Sequence, residues 1–293
     1  MGQRSRLANS KECKMICVFD IETIPDIRQI AKAYGISGKS PLEICQYAFN
    51  AQLEKSGSTF LPLYWHRVIA ISSVVCDDYG KFVKVGSFGK SAIETLQYDE
   101  DSIDRLEQCL IEEFLQFLNT KEPRLVSFNG RGFDMPVLLL KAMRYNCSAF
   151  KFFEAHNHTR TKSKWENYRA RYSEYWHTDL LESLGNFGST RALTLDGVCK
   201  MLGIVGKYDV SGSDVYELFY GQNAIDVINS YCQSDVLNTY WLYLKYAVLK
   251  GELGVADYGV VLEDFASKLE SSAPYAEVFK EQIVCEIARI QGS

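Results

Sequence analysis

Cys17-Val18-Phe19-Asp20-Ile21-Glu22-Thr23 is the stretch around which the chain is arranged. The apolar run from Met15 to Phe19 stops at two carboxylates separated by one isoleucine. Side chains alternate faces along a strand, so a buried strand here sends Asp20 and Glu22 the same way, off its C-terminal end. Two like charges held side by side are costly unless a cation lies between them. Alone, D-x-E reads as a strand ending in a solvated polar turn. What gives it chemistry is its company further along the chain.

Working outward, Pro25 ends this strand. Residues 26–64 read as a largely helical insertion, with Ile27, Ile30, Ala31 and Tyr34 at helical spacing and Ser40-Pro41 opening a second helix. Residues 66–75 are rich in β-branched side chains, 77–80 are turn residues and 81–88 return as a partner strand, which predicts a hairpin. An amphipathic helix is expected over 101–119 and a short buried strand over 124–128. After the glycine-bearing loop 129–133, Asp134 opens a densely apolar helix, where it is well placed as N-cap with Pro136 in the first turn. Short helices are expected over 178–184 and 194–202, a long one over 224–249 and two more between 254 and 290.

This order predicts a mixed α/β fold, a mixed central sheet flanked by helices. Residues 15–250 form the expected domain, with insertions at 26–64 and 150–176. Residues 1–14 read as a flexible leader and 251–293 as a helical C-terminal extension. Ligands in such sheets bind beyond the C-terminal ends of the strands. Asp20 and Glu22 stand at such an end, and Asp134 follows the other buried strand closely enough to reach the same edge.

With 47% hydrophobic residues in 293, the chain can bury a large core. No apolar run approaches the ~20 residues of a membrane span, and the polar, basic start has no signal-peptide stretch. The expectation is a cytoplasmic protein with no membrane partner. The nine cysteines are odd in number and form no C-x-x-C, so neither a disulfide framework nor a zinc knuckle is indicated. A net charge of −5 argues against coating nucleic acid by bulk electrostatics, but not against acting on it through bound metal.

Tyr231 and Asp235 lie four apart in the long helix and therefore share a face. D-x-E at Asp20 and Glu22, N-x-x-x-F-D from Asn129 to Asp134, and Y-x-x-x-D at Tyr231 and Asp235 then follow one another in a fixed order. This series resembles the three motifs of the DEDD exonucleases of the ribonuclease-H-like superfamily, and the tyrosine four residues before the last acid matches the DEDDy branch. The chain is most similar to the bacterial family of predicted 3′→5′ exonucleases related to the exonuclease domain of family B DNA polymerases. Residues 20–26, 66–68, 177–181 and 231–240 fit that family too, and the resemblance covers about residues 15–250.

The resemblance implies a ribonuclease-H-like fold and two divalent ions, Mg²⁺ or Mn²⁺. Asp20 would bridge both, Glu22 and Asp235 would complete the ion that activates water, Asp134 would hold the second, and Tyr231 would orient the attacking water. It implies single-stranded nucleic acid 3′ ends as substrate, DNA ahead of RNA. Thr23 and Ile24 would line the terminal nucleotide's pocket. Phe133 would pack on a base or on the sheet, and Asn129 would touch substrate or brace its loop. Residues 160–172 interleave Arg160, Lys162, Lys164, Arg169 and Arg171 with Trp165, Tyr168 and Tyr172. They read either as a platform for unpaired bases, with Arg169 and Arg171 on phosphates, or as a solvated helix with its aromatics in the core. His66 and His177 read as structural, and Asp179 as a helix cap. Too few residues follow the long helix to hold a polymerase, which excludes proofreading in cis; proofreading in trans with a separate polymerase, trimming within a repair complex and RNA turnover all stay open. The competing readings are a ribonuclease-H-like endonuclease or RNA-processing nuclease, and a nucleic-acid-binding module without catalysis.

Overall fold

The computed structural model describes residues 15–190, 192–207 and 212–292; the leader expected over 1–14 lies outside the described residues. The first element, β1 (Ile16–Pro25), is the middle strand of the sheet. Asp26 then caps α1 (Ile27–Tyr34), accepting from the Gln29 amide. Ser40 and Glu43 cap α2 (Pro41–Ser56) reciprocally, with Pro41 in its first turn. These two helices bury Ile27, Ile30, Ile44 and Ala48 with Leu61 in a small core of their own.

The expected hairpin follows as β2 (His66–Cys76) and β3 (Phe82–Ser87), its turn held by Asp77, whose carboxylate accepts from the Tyr79 and Lys81 amides. After α3 (Lys90–Glu94) comes α4 (Glu100–Lys121), which lays Ile103, Leu106, Leu110, Phe114 and Leu118 into the core. The chain continues through β4 (Arg124–Ser127), α5 (Asp134–Arg144), α6 (Phe150–Phe153), β5 (His177–Asp179) and α7 (Leu180–Leu184). It then runs through α8 (Leu195–Leu202), α9 (Val215–Gln222), α10 (Ile225–Leu249), α11 (Val255–Lys268) and α12 (Ala276–Gln291).

In the described residues the strands form one five-stranded sheet in the order β3-β2-β1-β4-β5. β3, β2 and β1 pair antiparallel, whereas β4 and β5 add parallel to β1. This mixed sheet with helices on both faces is the ribonuclease-H-like arrangement. The alternation of β1 decides what covers each face. Cys17, Phe19 and Ile21 pack into the core built with α4 and α5. Ile16 and Val18 pack into the other, with Val236, Leu237, Tyr240 and Trp241 of α10 and Phe265 and Phe279 of α11 and α12. By the same period Asp20 and Glu22 lie on the α10 face.

Several local expectations are corrected. β1 does not stop at its acids; β2 goes on pairing with it from Thr23↔Val68 to Pro25↔His66. What ends is β4, whose pairing with β1 reaches only Val18↔Val126. The acids therefore lie in mid-strand, where β1 outruns its parallel neighbour. Residues 178–184 are not one helix, because 177–179 pair with β4 before α7 begins. Residues 160–172 form no α-helix; past a single 3-10 turn that ends at Arg160, isolated bridges at Asn157↔Lys162 and Ser163↔Glu166 fold them into turns. Lys162 is buried there against the rings of Tyr168 and Trp176, its charge met by Glu122 and Glu154. Among the described residues the cysteines are free and no helix is long and apolar enough to cross a membrane.

Candidate active site

Where β1 outruns β4, three elements deliver carboxylates to one place. β1 brings Asp20 and Glu22. The pairing register with β2 shifts just after them, since Glu22 faces Ala70 while Thr23 faces Val68, leaving Ile69 as the extra residue. Such a bulge sharpens the local twist and re-aims side chains.

The loop from β4 to α5 brings Asp134. Its conformation is enforced by Asp179, whose carboxylate accepts from the Asn129 amide at 2.9 Å and the Arg131 amide at 2.8 Å. Gly130 permits this close turn, because a Cβ there would lie 2.3 Å from Ser127 Oγ. Asn129 occupies the left-handed region at φ 67°, which asparagine tolerates. Its carbonyl accepts from the amides of Gly132 and Phe133, so the backbone of Asn129 braces the loop. Asp134 is the first residue of α5 but does not cap it; the cap position is Phe133, without a side-chain bond. The expected capping role is thus withdrawn, leaving the buried carboxyl for the site.

α10 brings Tyr231 and Asp235 on one face. The Tyr231 hydroxyl donates to Asp235 and accepts from Lys207 Nζ. Lys207 Nζ also stands 3.8 Å from Asp235 Oδ2 and 5.1 Å from the Tyr231 ring centroid.

Glu22, Asp134 and Asp235 are buried and Asp20 is half-buried. Desolvation, then the charges of Asp134, Glu22 and Asp235, push the Asp20 carboxyl well above the usual range. Desolvation and Asp235 do the same to Glu22. Asp134 is pushed up to about 7, chiefly by desolvation, although its own amide and that of Ile21 pull the other way. Asp235 is raised by desolvation against the pull of Lys207. The acids on which Lys207 acts in this way also include Asp20 and Glu22. Cys232 Sγ shares the cluster, within 4.8 Å of Asp20 and Glu22 ligand atoms. Its thiol donates to the Asp20 carbonyl, and burial pushes its proton affinity well up, so it braces the strand rather than offering a thiolate.

Glu22 also edges a cavity of about 640 Å³ lined by Thr23, Ile24, Phe60, His66 and Phe133, a size suited to one small ligand. The rings of Phe60, His66 and Phe133 stand 5.0 to 5.5 Å apart, centroid to centroid. Burial lowers the His66 pKa and keeps its imidazole neutral. His177 is buried and held by Ser127 Oγ at 2.8 Å, in keeping with a structural role. Arg169 and Arg171 sit apart from the acid cluster's contacts. Arg169 stacks on Phe153, 5.1 Å from its centroid, and Arg171 Nε pairs with Glu182 at 2.8 Å.

The sequence reading missed Lys207. Its backbone is held from two sides: Asn238 bonds both the Gly206 amide and carbonyl at 3.0 Å, and Asp196 accepts from the Lys207 amide at 2.8 Å. The one available signal was Asn238, three residues after Asp235, a buried amide on α10 that needed a backbone partner.

No curated protein matches the chain. A family model described as predicted 3′-5′ exonuclease related to the exonuclease domain of PolB matches residues 58–283. That span contains Asp134, Lys207, Tyr231 and Asp235, while Asp20 and Glu22 precede it on the strand that the fold lays between them. With most of its length matched and its acids gathered at one sheet edge, the chain belongs to this family of predicted 3′-5′ exonucleases.

Proposed function

We propose that the protein is a two-metal-ion exonuclease of the DEDDy type, removing nucleotides from the 3′ end of single-stranded nucleic acid, DNA ahead of RNA. The observation that carries this reading is the convergence of four carboxylates from three elements, beside Tyr231, in surroundings that push their proton affinities up. A binding module without catalysis gains nothing from that cost.

The donor set is all oxygen, which suits hard divalent cations. Asp20, Glu22, Asp134 and Asp235 would hold two of them, Mg²⁺ or Mn²⁺. When bound, such ions supply a hydroxide nucleophile near neutral pH and offset the charge that develops on the phosphate. The remaining tasks fall to the chain. Tyr231 keeps its proton, because burial and the neighbouring Glu22 and Asp235 raise its pKa. It is therefore a neutral hydroxyl whose proton goes to Asp235 and whose oxygen accepts from Lys207 and, through its remaining lone pair, from the attacking water that it orients. The carboxylates of Glu22 and Asp235 are the acceptors for that water's proton. The cavity beside Glu22 takes the terminal nucleotide between Thr23, Ile24 and Phe133.

Upstream, Arg169 over Phe153 and Lys164 over Trp165 offer cation–aromatic surfaces suited to phosphates and unpaired bases. Arg171 would add charge to that route. Unpaired 3′ ends of this kind are what a separate polymerase or repair complex generates.

Asp20→Ala and Asp235→Ala are each expected to abolish nucleotide release from a labelled single strand while leaving the far-UV circular dichroism spectrum unchanged. Normal release by either purified variant contradicts the assignment.

A further inference from the structure

A row of polar residues leads away from the acids across the sheet. Asp20 of β1 pairs with Ser72 of β2, and Ser72 pairs with Ser87 of β3, so the three side chains stand abreast on the α10 face. α10 sets Cys232 and Gln233 on that row. Tyr275, just ahead of α12, reaches Gln233 from the C-terminal extension.

These groups form one hydrogen-bonded chain. The Tyr275 hydroxyl lies 2.8 Å from Gln233 Oε1, Gln233 Nε2 lies 2.9 Å from Ser87 Oγ, and the Ser87 and Ser72 hydroxyls lie 3.0 Å apart. Ser72 bonds the Cys232 thiol, whose Sγ lies 3.6 Å from the Asp20 carbonyl. The direction of every bond is forced from the far end. A carbonyl only accepts, so Cys232 gives its proton to Asp20 and accepts from Ser72. Ser72, its proton spent, accepts from Ser87, and Ser87 accepts from the Gln233 amide nitrogen. The Gln233 carbonyl oxygen then takes the Tyr275 proton. Bonds aligned in this way polarise and strengthen one another.

The chain ends where the strand most needs holding. Asp20 lies past the last β1–β4 pair, Val18↔Val126, and Asp134, Glu22 and Asp235 repel its carboxylate. A metal ligand already held in place pays less ordering when the ion binds, and for that reason its outer partners set affinity.

We propose that Tyr275 is a positioning residue for Asp20: through this chain the C-terminal extension holds β1 in the geometry that receives the cations, so that the metal affinity of the site depends on a hydroxyl in the extension. The proposal rests on the exonuclease reading above in taking the acids as the metal site. It adds the element on which that site depends and the residue through which it acts.

The test titrates Mn²⁺ alone into the full chain and reads the free ion by electron paramagnetic resonance. Tyr275→Phe keeps the ring and removes the hydroxyl, Ser87→Ala cuts the chain in its middle, and Ser87→Thr keeps a hydroxyl there. Tyr275→Phe and Ser87→Ala are each expected to weaken Mn²⁺ binding about fivefold, the worth of one net hydrogen bond, and Ser87→Thr to stay within about twofold of the parent. Both cuts interrupt the same chain, so the double variant loses no more than the larger single. Phe279→Leu thins the packing of α12 without touching the chain and keeps the affinity within about twofold. In matched cleavage assays the Mn²⁺ needed for half-maximal rate rises by the same factor as the binding constant, and KM for the strand at saturating Mn²⁺ does not move.

Unchanged affinity in Tyr275→Phe or Ser87→Ala, losses that multiply in the double variant, or an equal loss in Ser87→Thr or Phe279→Leu overturns the proposal. Mn²⁺ binding and strand shortening without these shifts defeat the Tyr275 assignment alone. The shifts in a chain that shortens no strand defeat the exonuclease reading alone, and no Mn²⁺ binding at all defeats both.

Discussion

Asp20, Glu22, Asp134 and Asp235 bind protons more tightly in the folded chain than in the unfolded one. The sign of the pH dependence follows. A raised folded-state pKa contributes stability that is full below the unfolded carboxylate range and is lost as pH rises through the folded value, which for Asp134 is about 7. The metal-free protein should therefore lose Tm between about pH 4 and pH 8, and Mn²⁺ should restore it at the alkaline end by binding the deprotonated site. Asp20→Asn should be more stable than the metal-free parent at pH 8, by ~1 kcal/mol or more, and should gain little from Mn²⁺. Calorimetry of both chains over that range checks this; a parent Tm that rises with pH in EDTA contradicts it. At this scale the sequence was readable where spacing imposes geometry. Two acids one residue apart on a strand share a face, and Tyr231 and Asp235 share a helix face wherever the helix lies. Lys207 was invisible, because a lone lysine in a loop carries no period, and only the tertiary bonds from Asn238 and Asp196 aim it at the acids.

Asp179 links two short elements that have little local stability. Its carboxylate caps α7 through the Leu181 amide and also accepts the Asn129 and Arg131 amides of the loop that carries Asp134. Arg131 then crosses back to the Tyr168 and His177 carbonyls, at 2.9 and 2.8 Å, tying the 150–176 segment to the same loop. Asp179→Ala removes a cap and strands two amides, an expected loss of about 2–4 kcal/mol in urea unfolding. It should also lower nuclease activity by loosening Asp134. Unchanged stability and activity would show that the loop holds itself. The capping role was legible from Asp179 and its neighbours. The strand in front of it was not, because three residues in a helix-like sequence become β5 only by pairing with β4, a partner far earlier in the chain, as in Leu125↔His177. The turns of 160–172 have the same cause, since the burial of Lys162 between two rings and two carboxylates is a tertiary event without a local signature.

Across the whole molecule, a buried ionic network fastens the acid-bearing strand to the helices behind it. Asp26, fully buried just past β1, faces Arg67 of β2 at 3.6 Å, Lys141 at 3.5 Å and Arg144 at 3.1 Å on α5. Arg67 reaches Glu100 and Asp104 at 2.8 Å, and Lys141 reaches Glu107 at 3.2 Å, all on α4. Burial alone would raise the Asp26 pKa, but Arg67 and Lys141 outweigh it and hold the carboxyl below its usual range. Its contribution is thus present above the unfolded carboxylate pKa and lost as pH falls, the reverse of the active-site acids. Asp26→Ala leaves buried cations unpaired and should cost about 3–5 kcal/mol at pH 7, with a smaller loss near pH 3; equal losses at both pH values in urea unfolding contradict this. The alternation of helices and strands made the fold class legible. This network was not, because it joins positions up to 118 residues apart by charge alone. What the fold holds in place is the acid site, and its activity is read most directly on one substrate. A 5′-end-labelled single-stranded oligonucleotide incubated with the full chain and Mg²⁺ or Mn²⁺ should give a ladder that shortens stepwise from the 3′ end and disappears with EDTA. Internal cuts without stepwise shortening, or an intact strand in the presence of metal, would contradict the account.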